Sequence, residues 1–179
     1  MSILRRVIPI ALICGASITP AAEPRVFNEF EMKAAFLFNF AKFVEWPGEK
    51  GAQGTPIVLA ILGPNPFGVH LTNLVKGRRI NGREIQVRQL DSLDSARGAH
   101  VLFVTKGARK TAEEVSAALG GAGVLTVGEP TAFSEVGGII TFHLEADRLS
   151  FEIDMGEAER AGLSISAQLQ KLASAVRRR

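Results

Sequence analysis

The sequence predicts a three-layer α/β domain, with a mainly parallel sheet, helices on both faces and an antiparallel C-terminal hairpin. The first observation is a series of short, continuously apolar runs, which are typical of strands buried on both faces. The second is that helical segments alternate with these runs, as they do in parallel sheets. The third is a change near the C-terminus, where two strand-like segments are separated by only four residues.

The strands are predicted from the apolar runs and the residues that bound them. The strongest run is 57–62, Ile-Val-Leu-Ala-Ile-Leu, because a proline precedes it and a glycine follows it. Further strands are expected at residues 85–89, 101–104 and 124–127, and the two strands of the hairpin at residues 138–144 and 149–153.

The helices are predicted from 3.6-residue periodicity and from capping residues. An unusually apolar helix comes first and continues to Trp46, where Pro47 ends it because proline disfavours helical geometry in the preceding residue. The others are expected at residues 67–76 with Asn65 as cap, 111–119 with Thr111 and Glu114 as a capping box, 133–136 as a short turn, and 164–176 with Ser164 as cap.

Residues 1–22 have the pattern of a cleaved export signal. Two arginines supply its positive start, residues 7–18 supply an apolar stretch, and small residues follow. We therefore expect a periplasmic protein whose residues 23–179 form one domain. The single cysteine, Cys14, would leave with the signal, so neither a disulfide nor thiolate chemistry is expected.

Removal of the signal also nearly balances the charge of the chain. Lys and Arg fall from 21 to 19 when Arg5 and Arg6 are lost, against 18 Asp and Glu. Three of the remaining cations are the arginines at residues 177–179, and the rest of the mature chain is mildly acidic. We therefore expect no nucleic-acid partner.

The aromatic segment at residues 36–47 has two interpretations. Phe36, Phe40 and Phe43 fall on one line of a helix that turns about 100° per residue, and Trp46 follows them. One interpretation is a core helix that its own domain covers. The other is that these four aromatic residues reach an interface and bind a partner, since aromatic side chains dominate such contacts.

Two turns are candidate ligand contacts. The turn at residues 63–68 joins the strongest strand to a helix, so its Asn65 and Phe67 would lie at the carboxyl edge of the sheet, where ligands bind in open α/β folds. Glu129 and Thr131 follow another strand and would lie at the same edge. The alternative for each turn is an ordinary connection without a ligand.

The segment 76–83 is a third candidate, because it carries four cations in eight residues. Its Arg78, Arg79 and Arg83 would hold an anionic group such as a phosphate or a carboxylate. The alternative is a solvated surface loop.

Catalytic and metal-binding patterns are missing from the sequence. The histidines at positions 70, 100 and 143 lie on separate segments, without a second ligand at metal-binding spacing. The G-x-S-x-G pattern of a nucleophile elbow does not occur. We therefore expect no enzymatic activity, no metal and no cofactor.

Several stretches form an ordered set that covers nearly all of the mature chain. They are Asn-Phe-Ala-Lys-Phe-Val-Glu-Trp-Pro at 39–47, Ile-Leu-Gly-Pro-Asn-Pro-Phe-Gly at 61–68, residues 124–129 with 137–140, and residues 151–154 with 161–166 and 169–173. In this order they resemble the YfiR family of bacterial periplasmic proteins.

The resemblance implies a non-catalytic periplasmic regulator. Such proteins bind the periplasmic part of an inner-membrane diguanylate cyclase and hold it inactive, which lowers cyclic di-GMP and biofilm formation. The resemblance further implies an outer-membrane lipoprotein that sequesters the repressor, and a homodimer. The chain departs from the family pattern at Asp154, usually asparagine, and at Ala167, usually serine. It also lacks the cysteine pairs of some members, which excludes redox sensing through disulfides.

Two other functions stay open on the residues alone. One is a periplasmic module that binds a small ligand through the turns at residues 63–67 and 128–131. The other is an accessory domain of a different membrane sensor.

Overall fold

A computed structural model describes residues 28–130, 138–146 and 148–178 of the chain. Three sequence-based expectations fall outside these residues: the export signal at 1–22, the short helical turn at 133–136, and the candidate ligand contact Thr131. Within the described part of the chain, no helix is long and apolar enough to cross a membrane.

The described residues form ten strands and five α-helices. The strands are β1 (Val44–Glu45), β2 (Ile57–Leu62), β3 (Arg79–Ile80), β4 (Arg83–Leu90), β5 (Val101–Val104), β6 (Leu125–Gly128), β7 (Ile140–Glu145), β8 (Arg148–Asp154), β9 (Ser164–Ile165) and β10 (Ala175–Arg177). The helices are α1 (Glu29–Phe43), α2 (His70–Val75), α3 (Ala112–Leu119), α4 (Met155–Arg160) and α5 (Ala167–Leu172).

Eight of these strands form one sheet in the order β10-β8-β7-β6-β5-β2-β4-β3. The five strands from β7 to β4 run parallel to one another. Strand β8 pairs antiparallel with β7, so that Phe151 lies opposite Phe142, and β1 and β9 form a separate antiparallel pair. The mainly parallel sheet and the antiparallel hairpin confirm the predicted fold class.

The sheet separates two apolar clusters, which makes the domain three-layered. Strand β2 is buried along its whole length because its odd-numbered residues face one cluster and its even-numbered residues face the other. Helices α1, α2 and α5 contribute Phe40, Leu71 and Leu169 to the first cluster. Helix α3 contributes Val115 and Leu119 to the second. Two buried faces explain why the strand reads as an unbroken apolar run.

The predicted start of α3 is confirmed, whereas the predicted start of α2 is wrong. The capping box of α3 is confirmed, because Glu114 N donates to Thr111 Oγ1 at 3.2 Å and Thr111 N donates to Glu114 Oε2 at 2.9 Å. The second helix was predicted from residue 67 but begins at His70. Asn65 Oδ1 accepts a hydrogen bond from Phe67 N at 2.9 Å, so Asn65 stabilises the preceding turn instead of capping the helix.

The predictions for the first and last helices of the chain are wrong in their extent. Helix α1 stops at Phe43 rather than Trp46, because the next two residues pair with β9. The segment 164–176 is not one helix: it divides into β9, α5 and β10, and Ser166 caps α5 through its Oγ, which accepts from Leu169 N at 3.2 Å. Helix α4 was not predicted.

Candidate functional site

Helix α1 carries the aromatic segment and buries one side of it. Asn28 begins the helix, since its Oδ1 accepts from the backbone N–H groups of Phe30 and Glu31, each at 3.2 Å. Phe40 is 0% exposed, and its ring centre lies 5.6 Å from that of Phe142 and 5.0 Å from that of Phe151. The C-terminal hairpin therefore covers the middle of the helix.

Phe40 and Trp46 are core residues in this structure, which corrects their assignment to a partner surface. Trp46 is 9% exposed, and its Nε1 donates to the carbonyl of His100 at 3.2 Å. Its ring also meets the His100 ring edge-on, with 5.3 Å between the ring centres. The physical reason is tertiary: residues more than fifty positions away supply the surfaces that cover both rings.

Phe36 and Phe43 are only partly buried, and they define the aromatic flank of α1 together with Met32. These three residues are spaced at four and seven positions, so they share one side of the helix. Met32 is 38% exposed, and the Lys42 ammonium lies 5.5 Å from the centre of the Phe43 ring. Phe38 lies on the opposite flank. Of the four aromatic residues, Phe36 and Phe43 keep some exposed area, although the Phe36 ring centre also lies 5.4 Å from that of Phe151.

The carboxyl edge of the parallel sheet has the geometry at which open α/β folds bind ligands. Strand β2 leads to α2 on one face, whereas the adjacent strand β5 leads to α3 on the other. The loops after these strands pack against each other: Thr105 Oγ1 donates to the carbonyl of Leu62 at 3.1 Å, and Gly107 lies against Pro64. This contact divides the crevice into two cavities.

The two cavities contain only part of the predicted ligand site. The larger, about 620 Å³, is lined by Asn65 among others, and the smaller, about 330 Å³, is lined by Glu129. Phe67 lines neither, because it is fully buried and its ring packs edge-on against Phe103, with 5.0 Å between the ring centres. Asn65 and Glu129 thus line different cavities on the two sides of the loop contact, and Phe67 is corrected to a core residue.

A chain of alternating charges borders the smaller cavity. The Lys33 ammonium contacts the carboxylates of Glu29 and Glu129, and Lys106 Nζ lies 3.6 Å from the other oxygen of Glu129. Lys33 is 2% exposed. Sequence reasoning missed Lys33, although its position seven residues before Phe40 and four before Leu37 places it on the buried side of α1. A lysine on such a face indicates a buried ion pair.

The basic segment does not assemble into one anion site. The Arg78 guanidinium lies 5.4 Å from the ring centre of Phe38, and Arg79 pairs with Glu84 at 2.8 Å on the surface. Arg83 is buried, and its Nε donates to the carbonyl of Thr55 at 2.6 Å. The three guanidinium groups thus have different partners, and Arg83 is buried whereas Arg79 is exposed, which corrects the predicted shared site.

Arg83 instead belongs to a buried polar cluster with His100 and Lys50. His100 Nδ1 accepts from Val58 N at 3.1 Å, while Nε2 lies 3.0 Å from the Lys50 carbonyl and 2.7 Å from Arg83 Nη2. Burial, together with the Arg83 and Lys50 charges, lowers the pKa of His100 to about 4. The hydrogen bond to the Lys50 carbonyl raises this pKa, but by less than burial lowers it. His100 is therefore neutral at neutral pH.

Lys50 connects three backbone segments through its ammonium. Its Nζ donates to the carbonyls of Ala99, Ala122 and Gly123 at 2.6, 2.7 and 3.1 Å. Burial lowers the pKa of Lys50 to about 8, so the ammonium keeps three N–H groups for these three acceptors at neutral pH. The cluster holds the loops at the amino edge of the sheet, away from both cavities at the carboxyl edge.

No metal site is formed among residues 28–130, 138–146 and 148–178, because no three His, Cys, Asp or Glu side chains there lie close enough together to hold a metal ion. His100 is held by backbone groups and Arg83, whereas His143 lies 3.6 Å from Glu152 and His70 lies 3.2 Å from Glu31. The described residues do present a partly exposed aromatic flank and a charged cavity.

These two features belong to a three-layer α/β domain. In the comparison with protein families, residues 30–174 of this domain match the model of the YfiR/HmsC-like family. The match covers most of the chain, so this protein belongs to the YfiR/HmsC-like family. The family is periplasmic and regulatory, and generally non-catalytic.

Proposed function

We propose that this protein is a periplasmic repressor of an inner-membrane diguanylate cyclase. It binds the periplasmic part of the cyclase and holds the enzyme inactive, which lowers cyclic di-GMP and biofilm formation. The observation that carries this proposal is the family match over residues 30–174. The export signal expected at residues 1–22 would deliver the chain to the compartment of that partner.

The aromatic flank of α1 is the proposed contact surface. Phe36 and Phe43 are partly buried, so each keeps some area that a partner can cover, and Met32 adds an exposed apolar side chain. Lys42 beside Phe43 and the exposed Asn39 supply a polar margin. An apolar centre with a polar rim is the usual composition of a protein interface.

Repression requires that the protein bind one conformation of the cyclase better than the other. Shifting a two-state partner from 1:99 to 99:1 takes a preference of about 10⁴-fold, or about 5.5 kcal/mol. Full burial of one large apolar side chain contributes roughly 1.5–3 kcal/mol. Phe36, Phe43 and Met32 are already about two-thirds buried or more, so each can add only about 0.5–1 kcal/mol, and the rest of the preference must come from other contacts.

The test is capture of the host's diguanylate cyclases through their separate periplasmic domains. Wild-type protein is expected to retain one of these domains, and Phe43→Ala is expected to weaken that complex by at least ~10-fold, because hot-spot aromatics typically cost more than 1.4 kcal/mol when truncated. Phe38→Ala is the matched control, since Phe38 is also partly buried on α1 but packs under Arg78 on the other flank. Circular dichroism checks that both variants fold.

Capture of no cyclase domain would contradict the proposed function. Equal weakening by Phe38→Ala and Phe43→Ala would instead reject the contact surface while leaving repression standing. Phe40→Ala is unsuitable here, because truncating a fully buried phenylalanine costs about 3–5 kcal/mol of stability and would confuse unfolding with lost binding.

Two further partners belong to the same proposal. An outer-membrane lipoprotein would sequester the repressor and so release the cyclase, and a second copy of the chain would form a homodimer. Added lipoprotein should displace the cyclase domain from the captured complex. Sedimentation of the purified protein should give the mass of two chains.

A further inference from the structure

The smaller cavity at the carboxyl edge is an open pocket lined by three separate parts of the chain. The first turn of α1 supplies Glu29 and Phe30, the loops after β2 and β5 supply Pro64, Pro66 and Lys106, and the end of β6 supplies Glu129. Its volume of about 330 Å³ lies at the lower end of the range for small-molecule sites. The cavity therefore suits a compact ligand.

The charged wall of the cavity favours a cation that takes the place of Lys106, because Glu29 and Glu129 are otherwise balanced by Lys33 and Lys106. Two carboxylates, Glu29 and Glu129, share the single buried ammonium of Lys33. The other cation, Lys106, is 64% exposed and lies 3.6 Å from Glu129, which is a long and solvent-screened contact. A ligand that displaces Lys106 meets two carboxylates and one ammonium, so the local charge balance is negative.

The remaining wall of the cavity is apolar and partly aromatic. Phe30 and Phe103 contribute rings, and Pro64 and Pro66 contribute saturated rings. The Lys33 ammonium already lies 5.6 Å from the centre of the Phe30 ring, within the distance at which an aromatic face attracts a cation. The cavity thus pairs an apolar surface with a carboxylate at one end.

We propose that this cavity binds an organic ammonium ion with a compact apolar body. The ammonium replaces Lys106 at Glu129 Oε2, and the apolar body lies against Phe30 and the two prolines. Lys33 stays in place, because its removal would leave two part-buried carboxylates without their partner. This inference does not depend on the proposed repression of a cyclase.

The experiment measures binding of phenethylamine by isothermal titration calorimetry and by NMR shifts of the purified protein, expressed from the full 179-residue chain. The neutral analogue 2-phenylethanol has the same phenethyl group, with a hydroxyl in place of the ammonium. Phenethylamine is expected to bind at least ~10-fold more tightly than the alcohol, and Glu129→Gln is expected to abolish that preference. Asp91→Asn, in the larger cavity, is the matched control and should leave both affinities unchanged.

A second variant separates binding from stability. Because Glu129→Gln also removes a partner of buried Lys33, Phe30→Ala is measured beside it; this change keeps the ion pairs and should weaken both probes. The inference is overturned if the amine and the alcohol bind equally, if neither variant changes binding, or if no binding is detected up to ~10 mM amine.

Discussion

His100 has an environment that accepts only its neutral form. Its Nδ1 faces the Val58 N–H, and its Nε2 lies near both the Lys50 carbonyl and the Arg83 guanidinium. Protonation would place a second N–H against Val58 N–H and a positive charge beside Arg83. Burial and these neighbouring cations therefore lower the pKa of His100 to about 4.

We expect this histidine to make the protein less stable in acid. The pKa is about 6.5 in the unfolded chain and about 4 in the folded one, so the unfolded state binds more protons between these values and stability falls as pH drops through them. The loss from pH 7 to pH 5 should be at most about 2 kcal/mol. Urea unfolding at both pH values measures it.

The control for this prediction is His100→Gln, which cannot titrate. Its free energy of unfolding should change less between pH 7 and pH 5 than that of the wild type, although it is lower at both. Equal changes in the two proteins would show that His100 does not cause the acid sensitivity.

Lys33 illustrates a different consequence of burial. A lone lysine on the apolar side of a helix is costly unless it is paired, and the carboxylates of Glu29 and Glu129 provide that pairing. Glu29 is four residues away on the same helix and was foreseeable from spacing. Glu129 is ninety-six residues away and was not.

At the scale of elements, the turn after β2 depends on the small size of one residue. Gly63 has a φ of +91° and lies directly against the loop after β5. A Cβ at this position would clash with Thr105 Oγ1 and lie 2.7 Å from Ala108 N. The close approach keeps the two loops in contact and divides the crevice at the carboxyl edge.

We therefore expect Gly63→Ala to destabilise the protein by about 2–4 kcal/mol, from positive-φ strain and crowding together. Gly68→Ala is the matched control, because Gly68 also has a positive φ, +52°, but has open space around the position of a Cβ. Its cost should stay near ~1 kcal/mol. Thermal and urea unfolding measure both, and equal costs would contradict the role given to the loop contact.

Local signals predicted some elements well and others poorly. The capping box of α3 and the strand β2 are fixed by residues within the element, and both appear where expected. Helix α4 is short, and Asp154 at its start caps it by accepting from Glu157 N at 3.1 Å. Aspartate and asparagine both serve as helix caps, so the departure from the family pattern at Asp154 preserves this local structure.

At the scale of the whole molecule, the sheet has interior strands and two edge strands. Among the described residues, β2 and β5 have partners on both sides, whereas β10 and β3 are each paired on one side. Val176 on β10 is exposed as well. Local opening should therefore begin at the edges and reach the centre only with global unfolding.

Hydrogen exchange tests this order. Amides of β5 should exchange most slowly, and those of β10 and β3 at least ~100-fold faster. Exchange is followed by mass spectrometry at two protein concentrations, with the interior strands as the internal reference. Protection of β10 equal to that of β5 would contradict an open edge, and protection seen only at the higher concentration would show that a second copy covers it.

The sequence by itself determined the class of fold, the positions of the buried strands, the hairpin and the family. These properties depend on residues close together in the chain: apolar runs, turn residues and caps leave the same signal wherever the segment packs. The placement of Asn65 and Glu129 at the carboxyl edge followed from the same local reasoning.

Only the tertiary structure decided which aromatic residues are accessible and which charges meet. Phe40 and Phe43 lie on one stretch of α1, yet only Phe40 is fully covered by the hairpin. The segment 164–176 divides because β9 and β10 find strand partners far away in the chain. Such pairings outweigh local helix preference, since propensities differ by less than about 1 kcal/mol per residue.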